Sequence, residues 1–263
     1  MPSVIEVHEL TKKFGELTAV AGISFSVGER EIFGFLGPNG AGKSTTIKML
    51  STLVTPTSGR ATLAGYDVAT QSNDVRKSIG LVFQDPSLDH RLTADENLQF
   101  HAMLYDVPRE IFKQRADQVL QMVDLIDRRS SRVMTFSGGM KRRLEIARGL
   151  LHYPKVLFLD EPTLGLDVQT RIAIWQHVRK LRDEVGTTVF MTTHYMDEAE
   201  NCDRIAIIDH GRIVAQGTAQ ELKAQTGADS LEGAFLALTG STIRDERADA
   251  ADQMRQMVKM WRR

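Results

Sequence analysis

The sequence predicts an α/β protein built around a parallel core sheet, and three observations carry that prediction. Gly37-Pro38-Asn39-Gly40-Ala41-Gly42-Lys43-Ser44 fits the spacing G-x-x-x-x-G-K-[ST], between an apolar strand-like run at 31–36 and a run with helical spacing at 45–50. Lys155-Val156-Leu157-Phe158-Leu159-Asp160 is a short continuous apolar run closing on an acid, as a strand buried on both faces requires. A long helical pattern from 95 to about 127 interrupts the strands and suggests a separate lobe.

In chain order, residues 4–10, 19–27, 32–36 and 60–63 read as short strands, the first ones forming an antiparallel portion. Gly28-Glu29-Arg30 reads as a hairpin turn between the second and third, and residues 77–84 as a further strand ending on polar Gln84. The helical pattern places Leu98, His101, Met103, Leu104 and Ile111, then Val119, Leu120, Met122, Val123, Leu125 and Ile126, with Pro108 dividing two helices. Ser137 opens the next helix, with Gly138 and Gly139 in its first turn and Leu144, Ile146, Ala147, Leu150 and Leu151 behind. A helix at 171–184, a strand at 187–192 and a strand pair at 205–208 and 212–215, turning at Asp209-His210-Gly211, complete the core. Met254, Met257, Val258 and Trp261 keep helical spacing beside Arg255, Lys259, Arg262 and Arg263, a face suited equally to a partner, a membrane surface or its own domain. The division expected is 1–85 and 151–225 for two halves of a core, 86–150 for the helical lobe and 226–263 for a tail.

At 263 residues and 42% hydrophobic, the chain buries a sizeable core. Lys+Arg total 33 against 34 Asp+Glu, so bulk charge gives no reason to expect nucleic acid as a partner. The lone Cys202 excludes an internal disulfide and suits a reducing cytosol. The first residues lack a signal-peptide pattern, and no apolar run approaches the roughly 20 residues that span a bilayer, so work at a membrane requires another subunit. The basic runs Lys141-Arg142-Arg143 and Arg128-Arg129 read as solvated helix faces and loop charges.

The glycine-rich loop carries the chemistry. Its glycines let backbone N–H groups converge on a polyphosphate at a helix N-terminus. The cradle therefore comprises Gly37, Pro38, Asn39, Gly40, Ala41, Gly42, Lys43, Ser44 and Thr45, with Lys43 on the β- and γ-phosphates and Ser44 on Mg²⁺. Asp160 and Glu161 stand at the carboxyl end of a parallel strand, where open α/β sheets build ligand sites. Asp160 suits the metal, and Glu161 suits a general base acting on water. His194 closes the neighbouring strand within reach of a γ-phosphate. Phe136-Ser137-Gly138-Gly139-Met140 sets a serine and two glycines at another helix N-terminus, a second anion site on the same chain.

These motifs, with Gln84, follow one another in the order of an ATP-binding cassette, and the chain resembles the nucleotide-binding subunit of an ABC transporter from about residue 4 to about 240. The resemblance implies a P-loop NTPase fold with a RecA-like core sheet, an N-terminal antiparallel portion and an inserted helical lobe. It implies that Phe14 stacks on adenine, that Gln84 touches Mg²⁺ and senses a transmembrane partner, and that His194 holds the γ-phosphate. Ser137, Gly138 and Gly139 then contact ATP bound to a second copy, and Asp167 in Leu164-Gly165-Leu166-Asp167 lies at the dimer interface. ATP and Mg²⁺ are the implied ligands, with transmembrane permease subunits and a second copy of the chain as partners, at the cytoplasmic face of the membrane.

Met140 replaces the usual glutamine of the signature and Gly165 a usual alanine, departures that weaken trans contacts and change the loop mildly. Both departures, with Asp89-His90-Arg91-Leu92-Thr93 and the stretch Ser230-Leu231-Glu232-Gly233-Ala234-Phe235-Leu236-Ala237-Leu238-Thr239-Gly240, resemble the drug, antibiotic and polysaccharide exporters whose ATPase and membrane subunits are separate chains. Against a soluble cassette ATPase acting on ribosomes stands the single cassette without a long coiled coil. Against a non-hydrolysing module stand Glu161 and His194. An importer subunit remains the alternative within the transporter class.

Overall fold

The computed structural model describes residues 2–85 and 87–240, so the helical pattern at Met254, Met257, Val258 and Trp261 lies outside the described residues. The chain runs β1 (Ser3–Phe14), β2 (Leu17–Gly28), β3 (Ile32–Leu36), α1 (Lys43–Leu50), β4 (Ser58–Leu63), β5 (Tyr66–Asp67), α2 (Ser72–Ser78) and β6 (Ile79–Val82). Three helices follow, α3 (Ala94–Leu104), α4 (Arg109–Met122) and α5 (Gly138–Leu150). The remainder is β7 (Val156–Asp160), α6 (Val168–Lys180), β8 (Thr188–Thr193), α7 (Met196–Ala199), β9 (Arg204–Asp209), β10 (Arg212–Gly217), α8 (Ala219–Thr226) and α9 (Leu231–Thr239).

The strands form two sheets: an antiparallel one ordered β2-β1-β4-β5 and a larger one ordered β10-β9-β3-β8-β7-β6. In the larger sheet β9, β3, β8, β7 and β6 run parallel and only β10 is antiparallel. Every residue of β3, β7 and β8 is buried, which is why their sequences are apolar without alternation. This is the P-loop α/β architecture with an antiparallel N-terminal portion that the sequence predicts.

One face of the core sheet meets the antiparallel sheet. Phe25 of β2 packs on Phe33, Phe35 and Phe190 with ring centroids 5.6, 5.6 and 6.0 Å apart, and such pairs contribute about 0.5–1.5 kcal/mol each beyond area burial. The opposite face continues into the helices: Leu98, Leu120, Leu144 and Ile146 share one hydrophobic cluster with Leu157, Leu159, Val189 and Met191.

Helix starts follow local chemistry. Thr93 and Glu96 form a capping box on α3, and Pro108 stands immediately before α4, where its missing N–H is harmless. Ser137 caps α5 by accepting from Met140 N at 3.2 Å, and Asp167 caps α6 by accepting from Thr170 N at 2.9 Å.

Two sequence expectations require correction. Residues 77–84 are not one strand: Lys77 and Ser78 end α2, where Ser78 Oγ donates to Asp74 O at 2.8 Å, β6 spans only Ile79–Val82, and Gln84 stands beyond it. Gly28-Glu29-Arg30 is not a hairpin turn either, because β2 and β3 belong to different sheets. The segment crosses between them, held by Glu31 Oε2 accepting from Gly28 N at 2.6 Å and by Arg30 N donating to Thr188 Oγ1 at 2.9 Å.

The last turn of α5 approaches β6 so closely that a Cβ on Gly80 would lie 2.2 Å from Gly149 O and 2.9 Å from Leu157 Cδ1. Because the nearer atom is backbone, Gly80→Ala forces the helix off the sheet. We expect a loss of about 1–3 kcal/mol, read as a lower urea midpoint, and an unchanged midpoint would refute the close packing.

Candidate functional site

The site forms where β3, β8 and β7, adjacent in the sheet, end side by side. Beyond β3 the chain turns through Gly40 at φ 78° and Gly42 at φ 109°, conformations that glycine adopts without strain. A Cβ on Gly42 would also stand 2.6 Å from Ala19 O. Gly42 is the N-cap of α1 and offers no side chain, and the first turn holds no acid, so the N–H groups at this helix end face the cavity unopposed. Lys43 is buried, and its Nζ donates to Gly37 O at 2.8 Å and Pro38 O at 3.2 Å. Burial lowers its pKa from the ordinary lysine value.

Asp160 closes β7. Its Oδ1 accepts from Ser44 Oγ at 3.2 Å and from Thr192 Oγ1 at 2.5 Å, which brings the glycine-rich loop and the acidic strand end into direct contact. Glu161 follows at φ 47°, a left-handed conformation unusual for its type. Its N–H is held by Thr192, 3.2 Å from the carbonyl and 3.1 Å from the hydroxyl. Glu161 Oε1 lies 3.2 Å from Lys43 Nζ and 3.3 Å from His194 Nδ1. Burial pushes this carboxyl upward, but the His194 ring and the Lys43 ammonium outweigh it and hold the group below the ordinary 4.5. Glu161 is therefore ionised at neutral pH, as a base acting on water must be.

A cavity of about 520 Å³ joins these groups; Pro38, Asn39, Gly40, Gly42, Lys43, Ser44 and Thr45 line it, with Gln84, Glu161 and His194. Phe14 and Leu17 form the apolar end, and Phe14, read from sequence as an adenine platform, is 49% exposed with the Lys12 ammonium 5.0 Å from its ring centroid. Gly37 and Ala41 do not line the cavity. Gly37 N donates to Thr193 O at 3.3 Å and Ala41 is buried, so both shape the loop from behind.

Ser137, Gly138, Gly139 and Asp167 stand apart from this cavity. Ser137, Gly138 and Asp167 are exposed, while a Cβ on Gly139 would meet Thr170 Cγ2 at 2.4 Å. Thr170 also donates from Oγ1 to Asp167 Oδ2 at 2.7 Å, so the two helix starts pack together as one outward-facing unit.

The solvated reading of the basic runs holds for the exposed Arg128 and fails for Arg142. Arg142 is buried, not solvated, because it shares its face of α5 with Glu145, Ile146 and Gly149. Arg129 likewise pairs with Asp95 at 2.6 Å and with Asp117, and Arg143 donates to Val123 O at 2.9 Å. Charges at i and i+3 within an apolar helical stripe were the signal. Thr192, the hydroxyl that aligns both acids, offered no sequence signal beyond its place in an apolar strand.

Comparison with known proteins agrees with this geometry. The family described as "ABC transporter" matches residues 20–164. The chain is 45% identical over 229 residues to the linearmycin resistance ATP-binding protein LnrL of Bacillus subtilis (strain 168), covering 87% of this chain and 73% of that protein. It is 41% identical over 258 residues to the daunorubicin resistance ATP-binding protein DrrA3 of Streptomyces coeruleorubidus, covering 93% and 81%. Among solved structures, an ATP-binding subunit of an ABC transporter superposes with a TM-score of 0.80 at 30% identity, covering 90% of this chain and 99% of that one. A dimeric post-hydrolysis state of the cassette MJ0796 bound to ADP and Pi superposes at 0.72, also at 30% identity, covering 81% and 98%.

Proposed function

This chain belongs to the ABC transporter family of ATP-binding cassettes, and on that premise we propose that it drives export of a drug-like, lipid-linked or polysaccharide compound through separate transmembrane subunits, the drug-like class being the one its relatives favour. The observation that carries the reading is the convergence of Lys43, Ser44, Asp160, Glu161 and His194 at three adjacent strand ends. The resistance proteins it resembles support the substrate class.

Phe14 and Leu17 take the adenine, and the loop from Gly37 to Thr45 takes the phosphates, with Lys43 and His194 at the γ-phosphate. Glu161 orients a water and accepts its proton. The water oxygen bonds to the γ-phosphorus as the bond from that phosphorus to the bridging oxygen breaks, releasing ADP and phosphate. Ser44 Oγ and Asp160 Oδ1, 3.2 Å apart, and Gln84 on the same cavity wall are the hard oxygen donors Mg²⁺ takes together with substrate phosphates. Mg²⁺ held there would neutralise phosphate charge. The exposed Ser137-Gly138 turn and Asp167 face a second copy, whose ATP they complete in a head-to-tail dimer. Among the described residues no helix is long and apolar enough to cross a membrane, which fits attachment through transmembrane partners. On the division at 1–85, 86–150, 151–225 and 226–263, our reading is that the helical lobe, with Gln84 at its border, receives such a partner.

The test measures ATPase activity of the chain alone and after co-expression, in lipid, with a transmembrane subunit encoded beside it. Turnover that rises with that subunit supports a transport motor. Turnover indifferent to it but stimulated by RNA or ribosomes overturns the reading.

A further inference from the structure

The α5 helix that begins at the Ser137-Gly138-Gly139 turn carries a buried charged pair that the mechanism above does not use. Arg142 and Glu145 are 7% and 1% exposed and lie 3.2 Å apart. From its one guanidinium, Arg142 donates through Nε to Pro162 O at 2.7 Å, through one terminal nitrogen to Glu161 O at 3.1 Å, and through the other to Phe83 O at 2.5 Å. Glu145 Oε1 in turn accepts from Ser87 N at 2.7 Å, and Arg148 donates to Ser87 O at 2.7 Å.

These contacts fall on two functional segments. Phe83 and Ser87 bracket Gln84, so α5 holds that loop on both sides. Glu161 and Pro162 hold the left-handed turn that aims the base, and a non-glycine residue at φ 47° persists only where its surroundings over-determine it. Arg142 fastens the carbonyls of Glu161 and of the residue after it, while Thr192 fastens the N–H on the other side. A buried ion pair is by itself weak grounds for stability, and apolar replacements of similar volume are often neutral. A pair whose arginine spends its remaining donors on backbone at the reacting loops has a different use.

We infer that Arg142, backed by Glu145, is a positioning residue that fixes the Glu161 turn and ties it, with the Gln84 loop, to the signature helix. This rests on Glu161 being the base. A shift of α5 at the dimer face therefore moves the Glu161 carbonyl and the Phe83 carbonyl together, through one planar fork that lysine does not reproduce.

The test uses the full chain, with ATP for turnover and the fluorescent analogue mant-ATP to count binding sites. Arg142→Met with Glu145→Leu removes the pair without stranding either charge. We expect mant-ATP stoichiometry and affinity to hold, and kcat per bound nucleotide to fall on the order of 10- to 100-fold, as small misplacements of catalytic groups produce. A purely structural role would lower Tm and the number of sites together and leave turnover per site unchanged, and that result overturns the inference. Should the double variant not fold, Arg142→Lys decides: lower kcat at unchanged KM supports positioning, and wild-type kcat refutes it. Glu161→Gln run in parallel separates the two claims. If it still turns over, the base assignment fails; if it is inactive while the paired variant is fully active, only the role of Arg142 fails.

Discussion

Glu161→Gln lowers ATP turnover by roughly 10²–10⁴-fold, the range that removal of a general base produces, while ATP binding persists. The amide matches the carboxylate in size, and the residue's backbone is held by Thr192 and Arg142, which the change does not touch. The loop from Gly37 to Thr45 and the Ser44–Asp160 contact also remain. What is lost is the acceptor for the water's proton and the negative partner of Lys43, 3.2 Å away. With the cradle intact and hydrolysis stopped, ATP stays between two copies, so size-exclusion chromatography in ATP shows a persistent dimer. Phosphate release at the wild-type rate would place the base elsewhere.

Lys43→Ala abolishes nucleotide binding at ordinary concentrations. Truncating one member of a buried, hydrogen-bonded charge pair typically costs about 2–5 kcal/mol of binding. Here the same change leaves the Glu161 carboxylate in the cavity without its ammonium, so it repels the triphosphate. Lys43 also sets a pH limit. Binding needs the protonated ammonium, which is present below its pKa and lost as pH rises through it. Burial lowers that pKa, so the alkaline limb of kcat/KM begins below the ordinary lysine value of 10.5. Mant-ATP titration across alkaline pH checks both points: wild-type affinity in the alanine variant would remove Lys43 from the site.

Much of this site was legible because its parts sit at fixed offsets from strand ends. Gly37 to Ser44 follows an apolar strand, Asp160 and Glu161 close another, and His194 stands directly beyond β8. The parallel sheet brings such ends together, so sequence position translated into proximity. Gln84 lines the cavity from two residues beyond β6, and local hydropathy does not reveal that α2 runs to Ser78 or that the strand stops at Val82. Arg142 reads as solvated for a physical reason: its charge partner Glu145 is local, but the carbonyls of Phe83, Glu161 and Pro162 that take its other donors come from distant segments. Phe14 falls between these cases, since an aromatic near a strand end also fits a core position, and here it is half-exposed and lines the cavity.

The strand order has a consequence for how this molecule comes into being. In the core sheet β3 pairs only with β8 and β9, and β7 only with β6 and β8. β8 is thus the single join between the half bearing the glycine-rich loop and the half bearing Asp160, and it is spelled 157 positions after its partner residue Ile32 at Val189. A nascent chain that has emerged only to residue 187 holds both halves without the strand that joins them in the core sheet, and β3 has no core-sheet neighbour at all. Pairings so distant in sequence close slowly. The phosphate cradle and the acids are synthesised early, but they become one site only when a late six-residue strand slides between them.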